Sequence, residues 1–325
     1  IASAERDAIF DIEAVRLIYH KLKRLYEILN SPENITLIET PGGHSYHEKS
    51  RRMIFRWFLK HLKGVDVGIE EVGDIDESPE AQESIESLRV FKDGIPPDER
   101  VTTVQEWFIR VAEPPEINNP DDLENYRRSL IENLLKDTFN AFPKEPCNLD
   151  VKVELIQEFG DWIGYLISYT PEDGWRLHMH VRRVKGSSGK VPVVLFLARN
   201  SRGIHFGDDL LNTLNPSWGR AILEVRGIGE TSWSPDLQWL IRRSAMLTGR
   251  TIASMRVYDV LRALEVLRSL SWVDGDRISL MASGDMVAVA LYTALIDGKI
   301  SAVILHNPPP SQNIPSDPDG KSNNI

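Results

Sequence analysis

The stretch RISLMASGDMVAVALYTALIDGKI, from Arg277 to Ile300, decides the fold because its character changes twice. It opens with a short β-prone apolar run that ends at Met281. Small and polar residues follow at 282–285, and an apolar segment of helical length comes next. A strand, a tight turn and a helix in this order form the repeating unit of α/β proteins.

The same alternation extends through the second half of the chain. KVPVVLFLARN (190–200) is a continuous apolar run, as expected for a strand that is buried on both faces of a parallel sheet. Further strands are predicted at RAILEV, RISLMA and ISAVILH, and further helices near GDDLLNTLN, DLQWLIRRSAML and SMRVYDVLRALEVLRSL. Pro171 to Gly174 marks a hairpin turn between two β-prone runs. The pattern predicts an α/β fold, a mostly parallel sheet with flanking helices.

The turn after Met281 has the shape of a catalytic turn. In an α/β-hydrolase, a strand enters a sharp G-x-S-x-G turn that exposes the nucleophilic serine before a helix. Here Ala282 and Met286 take the two glycine positions, and Gly284 takes the serine position. Ser283 lies one residue too early and Asp285 one residue too late, so each is a weaker candidate for the nucleophile. Gly284 therefore marks a degenerate nucleophile position.

Three stretches carry a resemblance to a known family: EVRGIGETSWS (224–234), RRSAMLTGRTIASMRVYDVLRALEVL (242–267) and LYTALIDGKISAVILHNPPPS (291–311). They resemble the second half of tandem α/β-hydrolase proteins of bacteria, of the acetyl xylan esterase-like or prolyl-oligopeptidase-like kind. In that family the second unit commonly has glycine where the serine would stand, and Gly284 matches this pattern. The resemblance implies an α/β-hydrolase-like sheet over about 150–325, with a non-catalytic elbow.

The start of the chain resembles the end of the first hydrolase unit. ITLIETPGGHSYHEKSRRMIFRWFLKHLKG (35–64) has the order of a last strand, a histidine loop and a final helix. In such folds the triad runs Ser, Asp, His along the chain. His44 stands at the histidine position. Asp7 is the preferred acid, and Asp11 is the alternative unless it caps the following helix.

Other polar pairs carry structural interpretations. His178 and His180 alternate on a strand and are expected to face solvent, since the spacing offers no third ligand for a metal. Arg226 and Glu230, on the loop RGIGET, are expected to form an ion pair. This loop lacks the spacing of a phosphate-binding motif, and no cofactor or metal is expected.

Composition limits the partners. The chain has 38 basic and 48 acidic residues, a net charge of -10, which argues against nucleic acid or an anionic membrane as partner. Much of the acidity lies at 68–86 and predicts a solvated linker face. No apolar run is long enough to span a bilayer. The single cysteine, Cys147, excludes an intrachain disulfide.

The sequence predicts three segments: 1–64 is the C-terminal part of a first hydrolase unit, 65–150 is an acidic and partly helical connector, and 151–325 is a truncated, non-catalytic second unit. The complete protein is expected to be a serine hydrolase acting on small-molecule or carbohydrate esters. Its serine would lie before residue 1. The compartment is open, and secretion or a periplasmic location is expected if the preceding residues carry a signal peptide.

Three alternatives stay open. One is a peptidase on the same scaffold. Another is a circularly permuted hydrolase that brings Asp7, His44 and Ser283 together. The third is a catalytically inactive module that binds carbohydrate or protein through tryptophans, for which buried packing is the competing explanation. These tryptophans are Trp218, Trp233 and Trp239.

Overall fold

The chain folds into two compact units, Ile1–Ala112 and Glu113–Ile325. The computed structural model describes residues 1–108, 113–198 and 213–309. The division between the units falls inside the segment predicted as a connector. The helix predicted near GDDLLNTLN (207–215) lies largely outside the described residues.

The first unit contains a two-stranded parallel sheet and two long helices. Strand β1 is Ala2–Ala4 and pairs with β2, Ile38–Thr40. Helix α1, Ile12–Ile28, connects them. Helix α2, Glu48–Lys63, follows the histidine loop and ends at Gly64, as the sequence predicts. Two short helices follow, α3 (Ile85–Leu88) and α4 (Gln105–Phe108).

The acidic run at 68–86 is mostly exposed, as predicted, but one part of it is anchored to α2. Val72 is buried. The Arg51 guanidinium binds the Asp74 carboxylate with two hydrogen bonds of 2.7 and 2.6 Å, and it also reaches Glu77. This ion pair holds the first part of the acidic run against α2.

The second unit is built on a seven-stranded sheet of order β3-β4-β5-β7-β6-β8-β9. The pairings β7-β6, β6-β8 and β8-β9 are parallel, and the three others are antiparallel. Five strands therefore run in one direction, and only β3 and β5 oppose them. The strands are β3 Lys152–Phe159, β4 Trp162–Tyr169, β5 Leu177–Val184, β6 Val191–Leu197, β7 Gly219–Leu223, β8 Val273–Ser283 and β9 Ala302–His306.

Helices flank this sheet, which confirms the predicted fold class. The core lies where the sheet meets the helices Ile252–Ser269 and Met286–Asp297, and it includes Leu195, Ile222, Leu264 and Leu280. The described helices of this unit are α5 Pro120–Asn133, α6 Pro235–Leu247, α7 Ile252–Ser269 and α8 Met286–Asp297.

Strand β3 was not predicted. It lies at the sheet edge, where residues on both of its faces are exposed, and charged residues such as Lys152 and Glu158 interrupt its apolar pattern. The hairpin formed by β4 and β5 surrounds the predicted turn, and its antiparallel register confirms that prediction.

Candidate functional site

Asp7 and His44 meet at one edge of the first unit. Asp7 follows β1 and His44 follows β2. Parallel neighbouring strands end at the same edge of a sheet, so residues on the loops after them come together. His44 Nδ1 lies 2.8 Å from Asp7 Oδ2. The Asp7 side chain is only 6% exposed, whereas that of His44 is 58% exposed.

The backbone fixes the Asp7 carboxylate as well. Its Oδ1 accepts the N–H groups of Ile9 at 2.8 Å and of Phe10 at 3.1 Å. Burial raises the pKa of Asp7, but the bonds from His44 and these two N–H groups outweigh it, and the pKa is lowered overall. The carboxylate therefore stays ionised and accepts the Nδ1–H of His44, which leaves Nε2 as the nitrogen that can accept a proton.

An open cleft of about 460 Å³ adjoins the pair. Its lining includes Asp7, His44, Phe10 and Tyr46. The Phe10 ring stacks on the imidazole, with ring centroids 5.9 Å apart. Phe10 was not predicted from the sequence. The available signal was its position three residues after Asp7, because the turn whose N–H groups bind the Asp7 carboxylate also places the Phe10 ring.

The alternative acid, Asp11, has a structural task. It is the N-cap of α1, and its Oδ2 accepts the Ala14 N–H at 3.1 Å. A side-chain oxygen at this position satisfies an N–H group of the first helical turn. The structure thus brings Asp7, and not Asp11, to His44.

The turn at the end of β8 leads from a strand directly into a helix. Gly284 has φ 55°, in the left-handed region, and α8 begins two residues later. Ser283 ends β8 of the seven-stranded sheet, whereas Asp7 and His44 follow the strands of the two-stranded sheet. The Ser283 Oγ is 3.3 Å from Nδ1 of His306, a partner that the sequence analysis missed.

The expected ion pair between Arg226 and Glu230 is wrong. Arg226 is 1% exposed and binds the fully buried carboxylate of Asp259 on α7, at 2.6 Å from Nη2. It also donates to Glu172 at 3.0 Å. Glu230 lies beside His178, with 2.9 Å between Oε2 and Nδ1. Arg226 pairs with Asp259 and not with Glu230 because a guanidinium removed from solvent needs a carboxylate that is also buried and held in place.

The remaining histidine and tryptophan candidates have structural surroundings. His178 and His180 are partly exposed on β5. Trp218 packs against the core, and the Trp233 indole lies against Gly227. Only Trp239 is clearly exposed, at 47%. This arrangement favours packing over a three-tryptophan binding surface.

In the described ranges, no group of three or more His, Cys, Asp or Glu side chains is placed to bind a metal ion. None of the helices that the structure describes is long and apolar enough to cross a membrane.

Comparisons with known proteins find matches among solved structures alone. No protein-family model and no curated protein matches the chain. Among solved structures, acetyl xylan esterase 1 from Thermoanaerobacterium sp. JW/SL YS485 is 19% identical, with 57% of each chain covered and a TM-score of 0.39. The acetyl xylan esterase from Paenibacillus sp. R4 is 20% identical, with 62% of each chain covered and a TM-score of 0.40.

A glucuronoyl esterase from Solibacter usitatus is 12% identical, with 61% of this chain and 64% of the other covered and a TM-score of 0.44. The chain thus spans less than two thirds of each of these structures. At such identities, a likeness concerns the fold and not the activity.

Proposed function

We propose that this chain supplies the acid–base pair of a serine hydrolase that cleaves carboxylic esters, with acyl esters of carbohydrate as the first substrate class. The observation that supports this most directly is the 2.8 Å bond between His44 Nδ1 and Asp7 Oδ2 at the ends of two parallel strands. A buried carboxylate on Nδ1 and an exposed imidazole beside a cleft fit the base of a Ser-His-Asp triad.

In the proposed reaction, a serine hydroxyl attacks the acyl carbonyl while His44 Nε2 takes its proton. His44 then gives this proton to the leaving alcohol, and the acyl group stays on the serine. Water, deprotonated by His44, releases the acid and restores the serine. Asp7 holds the imidazole in the required tautomer and stabilises the imidazolium.

The serine of this proposal belongs to polypeptide outside the 325 residues. The surface of the first unit supports such a partner. Helix α1 has no buried residue, and a stripe of apolar side chains on it and on its C-cap residue is exposed: Ile18 54%, Leu22 37%, Leu25 48% and, at the C-cap, Leu29 62%. Parallel sheets are ordinarily covered on both faces, and a two-stranded sheet is marginal by itself. More sheet and more helix would cover these surfaces.

The second unit is proposed as a scaffold or binding surface without elbow chemistry. Gly284 at the nucleophile position favours this assignment, since glycine offers no attacking atom. The permuted alternative requires β2 to extend the seven-stranded sheet. Strand β2 belongs instead to the two-stranded sheet with β1, and this observation speaks against permutation.

The test uses the natural protein that contains this chain. His44→Ala is expected to lower kcat for aryl acetate and acetylated xylan by about 10⁶-fold, the typical loss when a triad histidine is removed. His20→Ala, on the exposed side of α1, is the matched control and should keep activity. Activity of His44→Ala within about threefold of wild type would refute the assignment of the base.

A second measurement separates the base from the nucleophile. A fluorophosphonate probe should label one serine outside residues 1–325 in the natural protein, and His44→Ala should slow this labelling. If the serine whose labelling slows in His44→Ala lies within these residues, the two-part site is wrong even where the base assignment holds.

A further inference from the structure

A second serine and histidine meet at the carboxyl edge of the large sheet. Ser283 is the last residue of β8, and His306 is the last residue of β9. They are direct partners in the parallel register. Paired residues of neighbouring strands project their side chains to the same face, so the register itself places the hydroxyl beside the imidazole.

The backbone holds the two strand ends together at this point. The Gly284 N–H donates to the His306 carbonyl oxygen at 3.1 Å. The Ser283 Oγ and His306 Nδ1 are 3.3 Å apart, within the range that nucleophile and base pairs adopt before a substrate tightens them. His306 is exposed and Ser283 is partly exposed, so an ester can reach both.

We infer that Ser283 and His306 form a Ser-His dyad that accepts acyl groups from activated esters, at a site separate from Asp7 and His44. This inference does not depend on the proposed function of the first unit. It assigns the nucleophile to Ser283, the residue before the degenerate position Gly284. Gly284 contributes the turn, and its N–H holds His306 in place.

The reaction balances with these two side chains and water. His306 Nδ1 takes the Ser283 proton as Oγ forms a bond to the acyl carbon, and the bond to the leaving phenolate then breaks. The imidazolium returns its proton to the leaving oxygen or to solvent. The Met286 N–H, at the first position of α8, follows directly and can donate to the developing oxyanion, whereas the Val287 N–H already donates to the Gly284 carbonyl oxygen at 3.1 Å. Water later attacks the acyl-serine with His306 as base.

The experiment uses this chain and p-nitrophenyl acetate. We expect a burst of p-nitrophenolate and an acetyl adduct on the peptide that contains Ser283. Ser283→Ala should lose both. His306→Gln should slow acetylation by about 10²-fold, the lower range for loss of a general base. Far-UV circular dichroism should stay unchanged in both variants, because neither side chain is in the buried core.

Two controls make the outcome decisive. Ser301→Ala removes an exposed serine at the opposite end of β9 that bonds to the Asp276 carbonyl oxygen, and it should leave the burst unchanged. His20→Ala, at an exposed histidine of α1, should also leave it unchanged. Equal acetylation of wild type and Ser283→Ala, or of wild type and His306→Gln, would overturn the inference.

Discussion

Replacing Asp259 by asparagine is expected to destabilise the second unit by about 3 kcal/mol, because it leaves a buried guanidinium without its anion. Asp259 is 0% exposed and Arg226 is 1% exposed. The carboxylate accepts Arg226 Nη2 at 2.6 Å, Nε at 3.0 Å and the Arg226 backbone N–H at 3.0 Å. Removing one partner of such a pair costs about 3–5 kcal/mol. Glu172 still accepts Nη1 at 3.0 Å, so the lower end applies.

The assay is urea unfolding followed by tryptophan fluorescence, which reports on this unit because Trp175 stacks on Arg226 with 4.9 Å to the ring centroid. The midpoint should fall while the slope m stays unchanged. Asp274→Asn is the matched control: its partner Arg277 is 58% exposed, so the expected loss is below about 1 kcal/mol.

A loss below about 1 kcal/mol for Asp259→Asn would refute the reasoning, since surface pairs contribute no more than that. The double variant Asp259→Leu with Arg226→Met tests the cause. Two apolar groups in place of the pair should recover most of the stability, because no charge is then left buried without a partner. A double variant as unstable as Asp259→Asn would show that packing, and not the unpaired charge, dominates.

Two further predictions concern the first unit's carboxylate and a loop of the second unit. The pKa of folded Asp7 is lowered, so its stabilising effect is present above the ordinary carboxyl pKa of about 4 and is lost as pH falls through the lower folded value. The difference in unfolding free energy between wild type and Asp7→Asn should therefore vanish in acid. An equal difference in urea unfolding at about pH 6 and about pH 3 would contradict this. Gly227→Ala should cost at least about 2 kcal/mol, since φ is 80° and a Cβ would clash with the Trp233 indole. Gly186→Ala, at φ 69° with open space around it, isolates the backbone cost of about 1 kcal/mol, and equal losses would exclude the clash.

The sequence predicted those features that depend on local order. The alternation of strands and helices, the end of α2 at Gly64 and the hairpin at 171–174 follow from periodicity and turn residues alone. The positions of Asp7 and His44 followed from the resemblance to the end of a hydrolase unit, in which the acid and the histidine each come after a strand. Their hydrogen bond required only that β1 and β2 pair.

Features that depend on contacts across the fold could not be predicted. Arg226 has its partner 33 residues away on α7, and Glu230 was expected only because it lies near in sequence. His306 became a partner of Ser283 through the register of β8 and β9, which no local pattern specifies. In the first case burial, and in the second case strand register, determines which side chain becomes the partner. The sequence alone gives no reason to prefer one candidate partner over another.

The glycine at the elbow connects the shape of the second unit with its proposed lack of elbow chemistry. A serine held at φ near the 55° of Gly284 stores about 1–3 kcal/mol of backbone strain, which an enzyme tolerates because the turn exposes the nucleophile. Glycine adopts this φ without that strain. Once attack from this position is not needed, glycine keeps the turn and stabilises the unit. The same turn still orders Ser283 and His306, because the Gly284 N–H reaches the His306 carbonyl whatever side chain stands at the elbow. The turn can therefore keep its backbone conformation at Gly284 while the proposed acyl-accepting serine is the preceding residue, Ser283.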